Sequence, residues 1–128
     1  MAKIEISIVD DDESVREAMS GLMRSLGFAV NAFSSGESFL RSNRLRRTAF
    51  LIADVHMPGM TGLELHRRLV ASGRPVPTIL ITAYPNDSVR ARALSAGVIG
   101  YLAKPFSEDD LLGCIRSALG QGEDGGTA

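Results

Sequence analysis

The side chains able to do chemistry recur at one kind of place in this sequence, immediately after a short apolar run. Asp10 and Asp11 follow Ile4-Glu5-Ile6-Ser7-Ile8-Val9, and Asp54 follows Ala49-Phe50-Leu51-Ile52-Ala53. Thr82 closes the run Thr78-Ile79-Leu80-Ile81, and Lys104 follows Val98 to Ala103. Three carboxylates gathered closely repel one another and raise each other's pKa unless a cation stands between them. A hard divalent ion with oxygen ligands meets that need. Magnesium characteristically takes one or two carboxylates, keeps water, and completes its shell from a substrate phosphate. Such an ion orients a phosphoryl donor and neutralises charge on its equatorial oxygens, which is most of what phosphoryl transfer requires. Lys104 adds a second positive charge, and Thr82 a hydroxyl for a phosphoryl oxygen. Asp54, on the central run, is the nucleophile that would become an acyl phosphate.

Taken singly, each of these residues has a plainer job. An Asp at a strand end often caps the following helix, and that is the reading for Asp12. Thr82 alone reads as a loop hydroxyl, Lys104 as an exposed charge or ion-pair partner, and Tyr101 as a half-buried packing aromatic. The combination favours a site, because every strand bordering the expected crevice ends in a complementary group.

These runs need a frame that brings their ends together. Each is short, rich in Val, Ile and Leu, and reads as a strand. Between them lie helical patterns. Val15, Met19, Leu22 and Leu26 share one face, with Gly27 as a stop. Phe28 to Phe33 reads as a second strand, and Ser34 or Ser35 caps a short helix carrying Phe39 and Leu40. After a Pro58-Gly59 turn, Thr61 caps a helix bearing Leu65 and Leu69, stopped by Gly73. A helix near Asn86 to Ala96 has only Val89 and Leu94 as large anchors. Ser107 opens a last helix, with Leu111, Leu112, Ile115 and Leu119 on one side and Asp110 at capping-box spacing. Five alternations of strand and helix imply an α/β fold, a parallel sheet with helices on both faces. Ligands of such sheets bind at the carboxyl edge, where strand order reverses. The domain is expected over residues 1–119, with 120–128 a flexible tail or the start of a linker.

The totals agree with one compact globular domain: 128 residues, 45% hydrophobic and 23% charged, with no Trp. A formal net charge of −1 gives no general pull toward nucleic acid or anionic membrane. The densest basic stretch, Arg41, Arg44, Arg46 and Arg47, lacks interleaved aromatics and reads as a solvated helix end. The single cysteine, Cys114, lies in an apolar-periodic run and reads as a packed thiol. With no signal-peptide layout and no apolar run of spanning length, the cytoplasm is the expected compartment.

Four motifs resemble the receiver domain of two-component response regulators: Ile8-Val9-Asp10-Asp11-Asp12-Glu13, Ala53-Asp54-Val55-His56-Met57-Pro58-Gly59-Met60-Thr61-Gly62, Thr82-Ala83, and Tyr101-Leu102-Ala103-Lys104-Pro105-Phe106. The resemblance extends from Lys3 to about Leu119. It implies a flavodoxin-like (βα)5 fold with strand order 2-1-3-4-5 and phosphorylation of Asp54 by a sensor histidine kinase. It also implies Mg²⁺ held by Asp11, Asp54 and the backbone carbonyl of His56, with Asp10 acting through water. Thr82 and Tyr101 match the family's switch pair, which remodels the surface of helix four, strand five and helix five for a partner. That face is also a possible homodimer surface on phosphorylation. In tone the chain is closest to regulators with a LuxR-type helix-turn-helix output domain, which implies control of transcription through an output domain or downstream protein. Two departures stand out. His56 places a titratable ring beside the metal site, where it reads as a tuner of phosphoryl lifetime. Tyr84-Pro85 follows Thr82-Ala83, and the proline restricts the start of helix four.

Three other functions fit less well. A haloacid dehalogenase-type phosphatase would use Asp10 and Asp12, but it wants a late acidic pair where this chain has Lys104-Pro105, and it leaves Asp54 idle. A flavin-binding module would need a phosphate-cradling first loop, which the acids Asp10 to Glu13 would repel. A degenerate receiver serving only as an interaction domain would not need all five site positions intact.

Overall fold

The computed structural model describes residues 3–122. Five strands alternate with five helices: β1 Glu5–Val9, α1 Glu13–Ser25, β2 Ala29–Phe33, α2 Gly36–Arg41, β3 Phe50–Asp54, α3 Gly62–Ala71, β4 Thr78–Thr82, α4 Asp87–Ser95, β5 Gly100–Ala103 and α5 Glu108–Gly122. A single 3-10 turn, Leu45–Arg47, precedes β3. All strand pairings are parallel and the order is β2-β1-β3-β4-β5, the flavodoxin-like arrangement. The order reverses between β1 and β3, so the carboxyl ends of those two strands flank the crevice.

Two apolar layers sandwich the sheet. Successive strand side chains point to opposite faces, so the continuous apolar run of β3 divides: Leu51 and Ala53 join Val9, Phe39, Leu65, Leu69, Leu80 and Ala93 on one side. Phe50 and Ile52 join Ile6, Ile8, Met23, Ile79, Leu111 and Ile115 on the other. Side-chain caps set where the helices begin. Asp12, Ser35, Thr61 and Asn86 each accept a backbone N–H from the first turn of the helix that follows, and Thr61 with Glu64 closes a full capping box. Ser107 Oγ accepts the N–H of Asp110 at 3.0 Å. Gly27 and Gly73 stand just past α1 and α3 with positive φ, where the stops were expected.

Four details differ from the sequence reading. Leu94 is 42% exposed, and the fully buried anchor of α4 is Ala93, one turn after the half-buried Val89. Leu26 is the C-cap of α1 and is partly exposed, while Met19 and Met23 fill its inner face. The helix α5 continues past Leu119 to Gly122, because no proline stops it and two glycines only weaken a helix; the expected tail beyond, 123–128, lies outside the described residues. Arg44 and Arg47 reach Glu5 at 3.9 and 3.3 Å, so half of the basic stretch pairs with β1 rather than standing free. Cys114 is half-buried against Gly100, and burial pushes its thiol pKa up. Among the described residues no helix is long and apolar enough to cross a membrane.

Candidate functional site

The carboxyl ends of β1, β3, β4 and β5 bring the expected residues together. Asp10, Asp11 and Asp54 each place one carboxylate oxygen within 4.8 Å of the others. Asp10 is the most buried, at 4% exposure; its own N–H donates to the Phe33 carbonyl, and its Oδ1 accepts the N–H of Asp12 at 2.9 Å. Asp54 is half-buried, and its Oδ1 accepts the N–H of His56 at 3.1 Å. Lys104 Nζ stands 4.0 Å from Asp10 Oδ2 and 4.0 Å from Asp54 Oδ2, bridging the two carboxylates. The peptide bond between Lys104 and Pro105 is cis.

The electrostatics of this cluster are unfavourable by themselves. Burial pushes the Asp10 carboxyl from 3.8 up to about 6; Asp54 and Asp11 push the same way, against the hydrogen bond from Asp12 and the charge of Lys104. One lysine does not offset three acids. The donor set, all carboxylate oxygen, suits a hard divalent cation. Oxygens gathered this closely suit a magnesium shell, which is roughly 4.2 Å across with bonds of about 2.1 Å. Asp10, Asp11 and Asp54 are therefore a group that could hold a metal.

Asp12 points elsewhere. It is exposed, and its Oδ1 accepts from Ser14 N and Oγ and from Val15 N, bonds that hold its carboxyl below the ordinary value. The capping role read from the sequence is what the structure shows.

Two hydroxyl groups stand on the neighbouring strands β4 and β5. Thr82 is fully buried and its Oγ1 accepts the N–H of Tyr84 at 2.9 Å. The Thr82 carbonyl accepts the N–H of Lys104, so the ends of β4 and β5 are tied directly. Tyr101 is half-buried against the layer that contains Ala93, and its Oη accepts the N–H of Asn86 at 3.1 Å. His56 is exposed, with its ring edge-on to Tyr84 at 5.7 Å between centroids. Tyr84 itself is 73% exposed.

The turn that carries Asp54 into α3 depends on one close approach. The Gly62 N–H donates to the Val55 carbonyl, and a Cβ at Gly62 would collide with the backbone oxygen of Asp54. Beside the acids, a cavity of about 280 Å³ opens between α1 and the sheet, lined mainly by Ile8, Val15, Met19, Ile81 and Phe106. Sequence reasoning missed the contacts of Tyr84 with Thr82 and of Asn86 with Tyr101. The missing signal is a backbone N–H, which no residue type reveals.

A parallel 2-1-3-4-5 sheet with an acid triad, a lysine and a hydroxyl at its carboxyl edge defines a phosphoacceptor signalling domain. A family profile for the response regulator receiver domain matches residues 6–116, and the chain belongs to that family. It is 45% identical over 114 residues to the response regulator protein TmoT of Ectopseudomonas mendocina, covering 89% of this chain and 52% of that protein. It is 33% identical over 121 residues to the transcriptional regulatory protein FixJ of Bradyrhizobium diazoefficiens, covering 94% of this chain and 59% of FixJ. Among solved structures it superposes on the response regulator StyR with a TM-score of 0.86 at 40% identity, covering 95% of this chain and 62% of that one. The chain thus spans little more than half the length of these relatives.

Proposed function

We propose that this domain takes a phosphoryl group onto Asp54 from a sensor histidine kinase, with Mg²⁺, and then switches its α4–β5–α5 face to control a transcriptional output. The observation that carries this reading is the position of Asp54: the acid on the central strand, within reach of Asp10, Asp11 and Lys104 together. In the transfer, an Asp54 carboxylate oxygen forms a bond to phosphorus as the bond from phosphorus to the kinase histidine breaks. Asp11, Asp54 and the His56 carbonyl would hold the metal, with Asp10 through water. When bound, the metal supplies positive charge that orients the phosphoryl oxygens and neutralises the acids.

The chain's own residues do the rest. Lys104 offers its ammonium to the phosphoryl group once that group is on Asp54. Thr82 Oγ1 exchanges the Tyr84 N–H for a phosphoryl oxygen, and Tyr101 turns toward the space it leaves. Both movements release N–H groups of the same loop, Tyr84 and Asn86. His56 lies two residues after Asp54 and Tyr84 two after Thr82, and their rings meet edge-on, which supports a role in controlling water access and phosphoryl lifetime. The output is read by analogy with regulators of the LuxR type, and the similarity to FixJ, a transcriptional regulatory protein, supports it.

The phosphatase alternative requires Asp10 and Asp12 to act together, and the commitment of Asp12 to capping α1 counts against it. The deciding experiment is intact mass after incubation with acetyl phosphate and Mg²⁺. One acid-stable, base-labile phosphoryl group is expected, absent without metal and absent in Asp54→Asn. Stoichiometric labelling of Asp54→Asn would overturn the assignment of the acceptor. No gain in a folded, Mg²⁺-binding protein would favour a degenerate receiver.

A further inference from the structure

Helix α4 has little apolar attachment to the domain. Ala93 alone among its residues is fully buried, Val89 is half-buried, and Leu94 faces solvent. Its two ends are instead tied by side chains from other elements. At the amino end, the Asn86 N–H donates to Tyr101 Oη on β5. At the carboxyl end, His66 Nε2 of α3 lies 3.0 Å from the Ala96 carbonyl oxygen, the C-cap of α4.

His66 is 3% exposed, and its bonding fixes one of its hydrogens. A carbonyl oxygen only accepts, so Nε2 must carry hydrogen in every state of the ring that keeps this bond. Nδ1 lies 3.2 Å from Thr78 Oγ1, and that hydroxyl is also 2.8 Å from the Val76 carbonyl. With Nδ1 bare, the hydroxyl hydrogen turns to the ring; with Nδ1 protonated, it turns to Val76. Thr78 adapts to either state, and the bond to Ala96 persists in both.

The carboxyl end of α4 is further closed by backbone. The Val98 N–H donates to the Ala93 carbonyl and the Gly97 N–H to the Leu94 carbonyl, with Gly97 at φ 98°. Such a cap needs a residue tolerant of positive φ. His66 then holds the Ala96 carbonyl, a further one of those at the helix end. The amino end has only the Asn86 cap and the phenol of Tyr101.

We propose that His66 is the positioning residue for α4, pinning its carboxyl end so that the helix pivots there when Tyr101 releases its amino end. A helix of 9 residues is a lever of about 14 Å, so a swing about Ala96 moves the Asn86 end most and the β5 side of the face with it. The swing rests on the switch reading of Thr82 and Tyr101; the pin rests on the hydrogen bond alone.

Three substitutions separate a pin from a core filler. His66→Gln puts an amide donor near the position of Nε2, His66→Asn reaches only the position of Nδ1, and His66→Leu keeps apolar volume with no donor. Amide hydrogen exchange of the unphosphorylated domain, normalised to global stability from urea unfolding, reads the pin directly. Wild type and His66→Gln should match, while His66→Asn and His66→Leu exchange about fivefold to tenfold faster over residues 91–98, with β1 and β3 unchanged. Equal exchange in all four proteins, or no rescue by Gln relative to Leu, would overturn the pin. Where His66→Leu does not fold, the Gln and Asn pair makes the same distinction.

The same proteins with acetyl phosphate and Mg²⁺ test the swing. In wild type, backbone chemical-shift changes should be largest at Asn86 and fade toward Ala96; in His66→Asn they should extend through Ala96. A uniform change along α4 in wild type overturns the pivot. Absence of a mass gain on Asp54 overturns the phosphoacceptor reading and the swing with it, while the exchange result still decides the pin.

Discussion

The phenol oxygen of Tyr101 accepts the backbone N–H of Asn86 at 3.1 Å, joining the middle of β5 to the residue that caps α4. Tyr101→Phe keeps the ring packed against the apolar layer and removes only this acceptor. The bond involves an exposed Asn86, so its net worth is at the low end, about 0.5 kcal/mol. Global stability should therefore change little, while the first turn of α4 opens roughly twice as often, read by amide exchange at residues 86–89. The rate of phosphorylation by acetyl phosphate should stay at the wild-type value. Exchange as slow as in wild type would show that Tyr101 does not hold the helix.

Asp10 links metal binding to pH. Its carboxyl titrates near 6 in the folded domain against 3.8 as the ordinary value. An acid with a raised pKa binds its proton more tightly in the native state. The associated stability is fully present below about pH 3.8 and is lost as pH rises through about 6. The metal-free domain should thus lose on the order of 2–3 kcal/mol from this group between pH 4 and 7. Millimolar Mg²⁺ should raise the melting temperature at pH 7.5 and do so much less at pH 5, where the proton competes. An unchanged melting temperature at pH 7.5 would count against a metal site.

How much of this was legible in the sequence depended on range. Asp10, Asp54, Thr82 and Lys104 could be placed together because a parallel sheet puts every strand's last residue on one edge, so the pattern of apolar runs was enough. The capping roles of Asp12 and Thr61 are equally local, each acting within three residues. The ties of α4 were not legible. His66 reaches Ala96 across 30 residues and Tyr101 reaches Asn86 across 15, and both meet backbone atoms that every residue possesses. The anchor of α4 was misplaced for a related reason. A helix this short and polar has no dominant apolar face, so size favoured Leu94, while close packing on the sheet selected the small Ala93. The Leu45–Arg47 turn escaped because three residues carry no periodicity.

Lys104 sits at equal distance, 4.0 Å, from the carboxylates of Asp10 and Asp54. Lys104→Ala leaves every proposed metal ligand in place, so Mg²⁺ binding measured by calorimetry should persist. Phosphorylation of Asp54 should also still occur, though more slowly. What should be lost is coupling: the phosphorylated variant should lack the chemical-shift changes over α4 and β5 that wild type shows. Wild-type changes in Lys104→Ala would assign the coupling to another group.

Gly62 holds the turn after Asp54 closed, and its lack of a side chain is a steric requirement. A Cβ there would strike the backbone oxygen of Asp54 and lie 2.9 Å from Leu80 Cδ2. Neither neighbour yields easily, because Asp54 closes the central strand and Leu80 is fully buried. Gly62→Ala should therefore cost about 1–3 kcal/mol of stability, the range for overpacking a tight interior. It should also slow phosphorylation, since relief of the clash displaces the acceptor's own backbone. Gly21→Ala is the matched control. It lies in mid-α1, is exposed, and a Cβ there meets nothing within 4 Å. That substitution should stabilise the domain by about 0.5–1 kcal/mol through helix propensity, leaving phosphorylation unchanged. Urea unfolding and intact mass on the two variants check both halves, and a Gly62→Ala domain with wild-type stability and labelling would show that the turn has slack.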